Sequence, residues 1–329
     1  MVDVSNLRQP SRAGGWEVVP GVASREDPSV VSAAGTLGEA VAAAVSNGYL
    51  YVVEPDHGLW VFDLADPAKP KPVAFKELPG DFMQLATLGN FLIYVAKGGL
   101  WMVDVSNPAA PRIESTCCPA GATWLDVQDG LGYMATTENG LHMLDMADPA
   151  HPIEIGVFPS DTWQVEVAVR ESLAYVAEDA KPDRQKNNTW LGGGLRILDV
   201  SNPSQPQELS FVDTPGWVTD MALVGDLVYL AGYGQMRVLD VSDPLEPVEV
   251  QVYELPPYAN RVVIVTDDKV AVPIGNDLVR FDGPESGVAP GWGVLTRAGL
   301  GVIAGNLVYV PAGDQGLLVL RLPPSVAEP

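Results

Sequence analysis

Six aspartates, Asp63, Asp104, Asp145, Asp199, Asp240 and Asp282, recur at separations of 41, 41, 54, 41 and 42 residues. Each lies inside a recurring phrase. One copy reads Gly58-Leu59-Trp60-Val61-Phe62-Asp63-Leu64-Ala65-Asp66-Pro67, and the next reads Gly99-Leu100-Trp101-Met102-Val103-Asp104-Val105-Ser106-Asn107-Pro108. Further copies run from Gly140 to Pro149, Gly194 to Pro203 and Gln235 to Pro244, with a degraded copy from Asp277 to Pro284 and a last one from Gly316 to Leu322. A period near 40 residues restricts the chain to an array whose units bury their apolar faces against their neighbours.

Each period divides into four short β-type segments punctuated by Gly and Pro. An alternating segment such as Asp81 to Leu88 comes first, then one such as Leu92 to Ala96, then the Gly-Leu phrase, then one such as Pro152 to Phe158. That pattern predicts a four-stranded antiparallel meander, and no helical periodicity competes with it. The second segment occurs seven times. The expected fold is therefore all-β, a single seven-bladed β-propeller over residues 1–329. Met1 to Asn6 matches Met102 to Asn107, and Gly15 to Pro20 follows as a further strand. Residues 1–20 are thus expected to close the last blade and remove two open sheet edges.

Most conspicuous residues have scaffold explanations. The Asp-x-Ser/Ala-Asn/Asp-Pro phrase suits turns in which short polar side chains bond nearby backbone N–H groups. Tyr51, Tyr94, Tyr133, Tyr175, Tyr229 and Tyr309 recur in the second segment, as expected for aromatic filling between packed sheets.

The phrase resembles the bacterial LVIVD repeat, most closely at Gly194-Leu195-Arg196-Ile197-Leu198-Asp199-Val200-Ser201-Asn202-Pro203 and at Met236-Arg237-Val238-Leu239-Asp240-Val241-Ser242-Asp243-Pro244. The resemblance covers most of the chain. It implies a β-propeller and an extracellular or cell-surface location, and no catalytic residues. Met1 to Ser5 has neither the basic nor the apolar region of a signal peptide, which keeps a cytoplasmic location as the alternative.

Charge narrows the partners. With 42 acidic and 19 basic residues the net charge is −23. Such a field repels nucleic acid and anionic membrane surfaces. No run of 18 apolar residues suggests a membrane span. His57, His142 and His151 do not form a metal triad, and no metal or cofactor is expected. Cys117 and Cys118 are adjacent, as two thiols at a strand end or as a vicinal disulfide.

Two insertions break the period, at 21–37 between blades and at 178–193 between second and third strands. Propeller strands run radially, so both fall on one face, the expected site of function. Phe82, Trp124, Trp163, Trp217, Tyr258 and Trp292 should begin first strands there, with Trp190 and Tyr233 in loops. Phe82, Trp163 and Trp217 share one spacing and are expected at equivalent places. Such aromatics suit a small molecule, glycan or cation. Glu166 and Asp220 are expected near the channel in adjacent blades, with Asp126 two positions on and Arg261 facing them; Glu54, Asp56, His57, Asp81, Glu138 and Asp179 lie in loops.

The leading expectation is a binding module for a small molecule, glycan or protein. The rivals are an enzyme using Glu166, Asp220 and Arg261 for acid–base chemistry on a glycan or an apolar substrate, and a structural surface component.

Overall fold

The recurring phrase becomes the third strand of a four-stranded antiparallel sheet, because its residues alternate between two faces that both meet apolar neighbours. The computed structural model describes residues 40–255, apart from 56, 79–80, 119–120, 184–188, 215 and 233, together with strand segments 30–34, 263–266, 269–274, 277–281, 288–293, 302–304, 307–311 and 317–321. The first sheet comprises Ala42–Ser46, Tyr49–Glu54, Gly58–Asp63 and Lys71–Lys76, and the second Phe82–Leu88, Phe91–Ala96, Gly99–Asp104 and Arg112–Cys117. The third comprises Ala122–Gln128, Leu131–Thr136, Leu141–Asp145 and Ile153–Phe158. The fourth comprises Trp163–Arg170, Leu173–Asp179, Gly193–Asp199 and Gln207–Thr214, and the fifth Val218–Val224, Leu227–Gly232, Gln235–Asp240 and Val248–Glu254. Two further four-stranded sheets follow. One holds Val263–Thr266, Lys269–Ile274, Asp277–Phe281 and Val288–Gly293; the other holds Val302–Ala304, Leu307–Pro311 and Leu317–Arg321, with Val30–Ala34 beside Leu317–Arg321.

The core is a series of apolar layers between successive sheets. Tyr51, Val53 and Leu59 of the first sheet pack with Leu92, Tyr94 and Val103 of the second. Tyr175 and Ile197 of the fourth pack with Met221, Leu230 and Leu239 of the fifth. Leu50, Val52 and Phe62 of the first sheet pack on Leu307, Tyr309 and Val319 of the last, and the Tyr309 hydroxyl donates to the Pro67 carbonyl at 3.0 Å. Burial pushes the Tyr51 and Tyr94 phenols up to about 12.

The sheets bear on several expectations. Residues 1–20, expected to close the last blade, lie outside the described residues. The strand that pairs with Leu317–Arg321 is Val30–Ala34, inside the segment expected as an insertion. Its Val-Val start suits a strand, and the exposed edge of Leu317–Arg321 requires hydrogen-bond partners. The 178–193 insertion contains a hairpin, Lys181–Asp183 with Thr189–Leu191. Tyr94 breaks the tyrosine series. Tyr51 opposes Val61, Tyr133 opposes Met143 and Tyr229 opposes Val238, whereas Tyr94 opposes Trp101, one register position further along. A one-residue offset reverses the face of a strand residue. Tyr94 accordingly packs toward the first sheet, with its ring 5.2 Å from that of Phe82.

The aspartate phrase forms two successive turns. Asp63, Asp104, Asp145, Asp199 and Asp240 each accept through Oδ1 from the backbone N–H two residues on, at 2.8–2.9 Å. Asp66, Asn107, Asp148 and Asp243 repeat this at 3.0–3.3 Å. Bonds from Ser106, Ser201 and Ser242 hold the Asp104, Asp199 and Asp240 carboxyls below the usual carboxylate range.

The glycine that opens the phrase has a steric cause. A Cβ on Gly58, Gly140 or Gly194 would lie 2.0–2.2 Å from the carbonyl oxygen of Lys76, Phe158 or Val212 in the adjacent outer strand. Gly140→Ala is therefore expected to cost about 2 kcal/mol or more in urea unfolding. Gly98→Ala, which meets nothing within 4 Å, should change stability by less than about 0.5 kcal/mol.

Candidate functional site

The first strand of each sheet is an edge strand, so alternate backbone N–H groups point away from its own sheet. At three junctions the preceding sheet supplies acceptors. Gln84 Oε1 accepts from Leu125 N at 2.7 Å, and Gln84 Nε2 donates to Leu125 O at 3.0 Å. Asp126 Oδ2 accepts from Val169 N at 2.6 Å, and Glu166 Oε2 from Met221 N at 2.9 Å. Asp179 accepts from Ala180 N at 2.8 Å and also from Val218 N. Burial raises the Asp126 and Asp179 carboxyls, and the backbone bonds oppose that rise.

One of these ties uses Glu166, which the spacing marks as a catalytic candidate. Glu166 and Asp220 occupy the same register position, opposite Ala177 and Ala231, and each is 8% exposed. The Glu166 carboxylate is committed to the backbone N–H of the residue after Asp220. Arg261 lies outside the described residues, as do Asp56, Tyr233 and Tyr258. Trp190 and Trp292 lie on strands whose side chains are outside the description.

The aromatics separate into two groups. Trp163 and Trp217 immediately precede Gln164 and Val218, which oppose Glu178 and Gly232 at one shared register position. They are 39% and 45% exposed. Phe82 is not their equivalent: it opposes Ala96, one position further in, and packs on Tyr94. The same one-residue offset of Tyr94 accounts for this, because the shared spacing is measured from the tyrosine. Trp124 occupies the position of Gln84, Glu166 and Asp220, and packs against the core between third and fourth sheets. His57 is exposed beside fully buried Glu54 at 3.7 Å, and Glu138 is exposed in its turn. Asp81 pairs with Lys97 at 3.8 Å.

A second feature follows from residue pairs twelve positions apart. The third residue of the phrase is Trp60, Trp101, His142, Arg196 or Arg237, and the residue twelve further on is Pro72, Ile113, Glu154, Glu208 or Glu249. The three copies with a nitrogen-bearing side chain each meet their glutamate: His142 Nδ1 lies 2.7 Å from Glu154 Oε2, Arg196 Nη1 bonds Glu208 and Arg237 Nη1 bonds Glu249 at 2.5 Å. Motif reading does not single out these pairs; aligning the copies at a fixed offset does. Arg196 has a second acidic partner. Its Nε and Nη2 donate to both oxygens of fully buried Glu178 at 2.8 and 2.9 Å, and its guanidinium lies 4.7 Å from the Phe211 ring centroid. Ser160 Oγ donates to Glu178 Oε1 at 3.1 Å.

Between the fourth and fifth sheets a small cleft of about 30 Å³ opens to solvent. Thr214, Trp217, Leu230, Gly232, Gln235 and Arg237 contribute to its walls. Trp217 belongs to the connection between sheets, and Gly232 and Gln235 flank a second-to-third-strand turn. The cleft therefore lies on the face chosen from the insertions. Cys117 and Cys118, on another connection of that face, are joined in a vicinal disulfide.

Five segments, 37–74, 79–118, 122–159, 190–214 and 215–254, match the LVIVD repeat and together span more than half of the chain. No curated protein matches the sequence. Among solved structures, the computationally designed Ika8 protein has a TM-score of 0.66 at 10% identity, over 88% of this chain and 98% of that one. The Cps50 (Swd1) β-propeller domain of Myceliophteria thermophila has a TM-score of 0.65 at 12% identity, over 89% and 99%. PorZ, a surface component of the type-IX secretion system of Porphyromonas gingivalis, has a TM-score of 0.61 at 15% identity, over 89% of this chain and 38% of PorZ. These likenesses concern the fold alone.

Three outcomes follow. Asp126→Asn keeps an acceptor for Val169 N–H and removes a half-buried charge. A raised folded-state pKa makes an acid's contribution to stability fall as pH rises above its unfolded value of about 3.9. Asp126→Asn should therefore match or exceed the parent in urea unfolding at pH 8, with the difference shrinking toward pH 4. Asp126→Ala, which removes the acceptor, should lose about 1–3 kcal/mol. Thiol titration of denatured protein should find no free thiol before reduction and both cysteines after it.

Proposed function

Since the chain belongs to the LVIVD-repeat family, we propose that it is a ligand-binding β-propeller whose site is the face carrying Trp163, Trp217 and the cleft beside Arg237. We further propose a ring of seven blades, the last completed by Val30–Ala34. Four-stranded sheets on either side of the five matched repeats, and the packing of Tyr309 against the first sheet, support that closure.

The observation that carries the binding reading is the pair of half-exposed tryptophans at equivalent starts of adjacent first strands. A large aromatic ring left 39–45% exposed at the mouth of a packed repeat forgoes part of its burial energy, and its flat face suits a sugar or apolar ring. In this reading Asp126, Glu166 and Asp179 tie blades together, and acid–base catalysis is not their role. A surface or secreted location accords with the repeat family and with a disulfide, which persists in oxidising compartments.

The test is a thermal-shift screen of glycans and small aromatic ligands on the parent and on a Trp163→Ala/Trp217→Ala variant. Expected is at least one ligand that stabilises the parent and loses tenfold or more of its affinity in the variant. Ligands that bind both proteins equally would place the site elsewhere.

A further inference from the structure

The junction between third and fourth sheets and the junction between fourth and fifth are built from equivalent positions. Arg196 and Arg237 both stand three positions before the repeat aspartate, Asp199 or Asp240, and each keeps its outer-strand glutamate, Glu208 or Glu249. Ser160 and Thr214 also correspond, since Leu141 opposes Phe158 and Leu195 opposes Val212, each two residues earlier. Only the third member differs. Glu178 opposes Gly194, and the residue opposing Gln235 at the same position is Gly232.

Glu178 Oε1 is the centre of the earlier junction. It accepts from Arg196 Nε at 2.8 Å and from Ser160 Oγ at 3.1 Å. In the later junction both donors remain and the carboxylate is replaced by the cleft. Thr214 is 4% exposed, and its Oγ1 is buried with no hydrogen-bond partner among the described residues. Arg237 Nη2 donates to Gln235 Oε1 at 2.9 Å, while Nε reaches no acceptor among the described residues. A buried hydroxyl without a partner is costly, and Thr214 and Arg237 both line the cleft.

We propose that this cleft binds the carboxylate of a small organic acid, one oxygen of which takes the place that Glu178 Oε1 holds in the neighbouring junction. The assignment rests on the reading of the Trp217 face as the ligand face, and it names the ligand class. That oxygen accepts from Arg237 Nε and Thr214 Oγ1, and the rest of the acid lies against Leu230 and toward Trp217. Glu249 does not exclude an anion, because Arg196 holds Glu178 with Glu208 equally close. The protein cannot supply the group itself from position 232: a Cβ there would lie 2.1 Å from the Trp217 carbonyl oxygen. The first-to-second and second-to-third junctions offer no such site. Their equivalents of Glu178 and the arginine are Ala96 with Trp101, and Thr136 with His142, where Thr136 Oγ1 donates to Gly140 O at 2.8 Å.

The probe is benzoate, with benzamide as the uncharged control, followed by tryptophan fluorescence and by protein NMR. Benzoate is expected to bind saturably and benzamide at least tenfold more weakly. Thr214→Val, which preserves shape, and Arg237→Gln should each weaken benzoate tenfold or more while Thr214→Val melts within a few degrees of the parent. No saturable response to benzoate, equal binding of benzamide, or unchanged affinity in Thr214→Val would overturn the assignment. A parent protein that binds neutral glycans through Trp163 and Trp217 but ignores benzoate would defeat this proposal alone. Loss of all binding would defeat both.

Discussion

Every sheet in a radial array has an inner edge, and the N–H groups of that edge need acceptors from somewhere. Here the acceptors come from the preceding sheet. Gln84, Asp126 and Glu166 reach forward to Leu125, Val169 and Met221. A shape-filling apolar layer would hold two sheets together but would leave these donors unbonded. The polar ties satisfy them and also fix the register of one blade against the next. Where Trp124 occupies the usual tie position, Asp126 takes over two residues on, and its side chain reaches the N–H two positions from the usual one.

This constraint explains why conspicuous acids in apolar first strands need not be catalytic. Their types and positions are legible from spacing, and Glu166 and Asp220 do share a register position. Their purpose is not legible, since a carboxylate aimed at substrate and one aimed at a neighbour's backbone leave the same trace in a sequence. The difference lies in which atom is within hydrogen-bond distance.

The aromatic set shows a second limit. Counting from the tyrosines makes Phe82 an equivalent of Trp163 and Trp217, but Tyr94 sits one residue out of step. With a side-chain period of two, that offset sends both Tyr94 and Phe82 into the layer against the first sheet. Strand pairing, counted from the repeat aspartate, removes the ambiguity. The same count exposes the difference between the Arg196 and Arg237 junctions, where a glutamate in one becomes a glycine in the other.

By itself the sequence determined the repeat, the four-stranded unit and the turns that join its strands. Those depend on local chemistry: alternation, glycine where an outer-strand carbonyl leaves no room for Cβ, and aspartate bonding the N–H two residues on. It also pointed to the face on which Trp163 and Trp217 stand. The tertiary structure decided which strand pairs with the last hairpin, Val30–Ala34 within a segment that reads as a loop, because an edge is completed by whichever segment reaches it. It decided, too, that Thr214 and Arg237 face one cleft. They are 23 residues apart, on different sheets, and only the packing of those sheets brings both to the cleft wall.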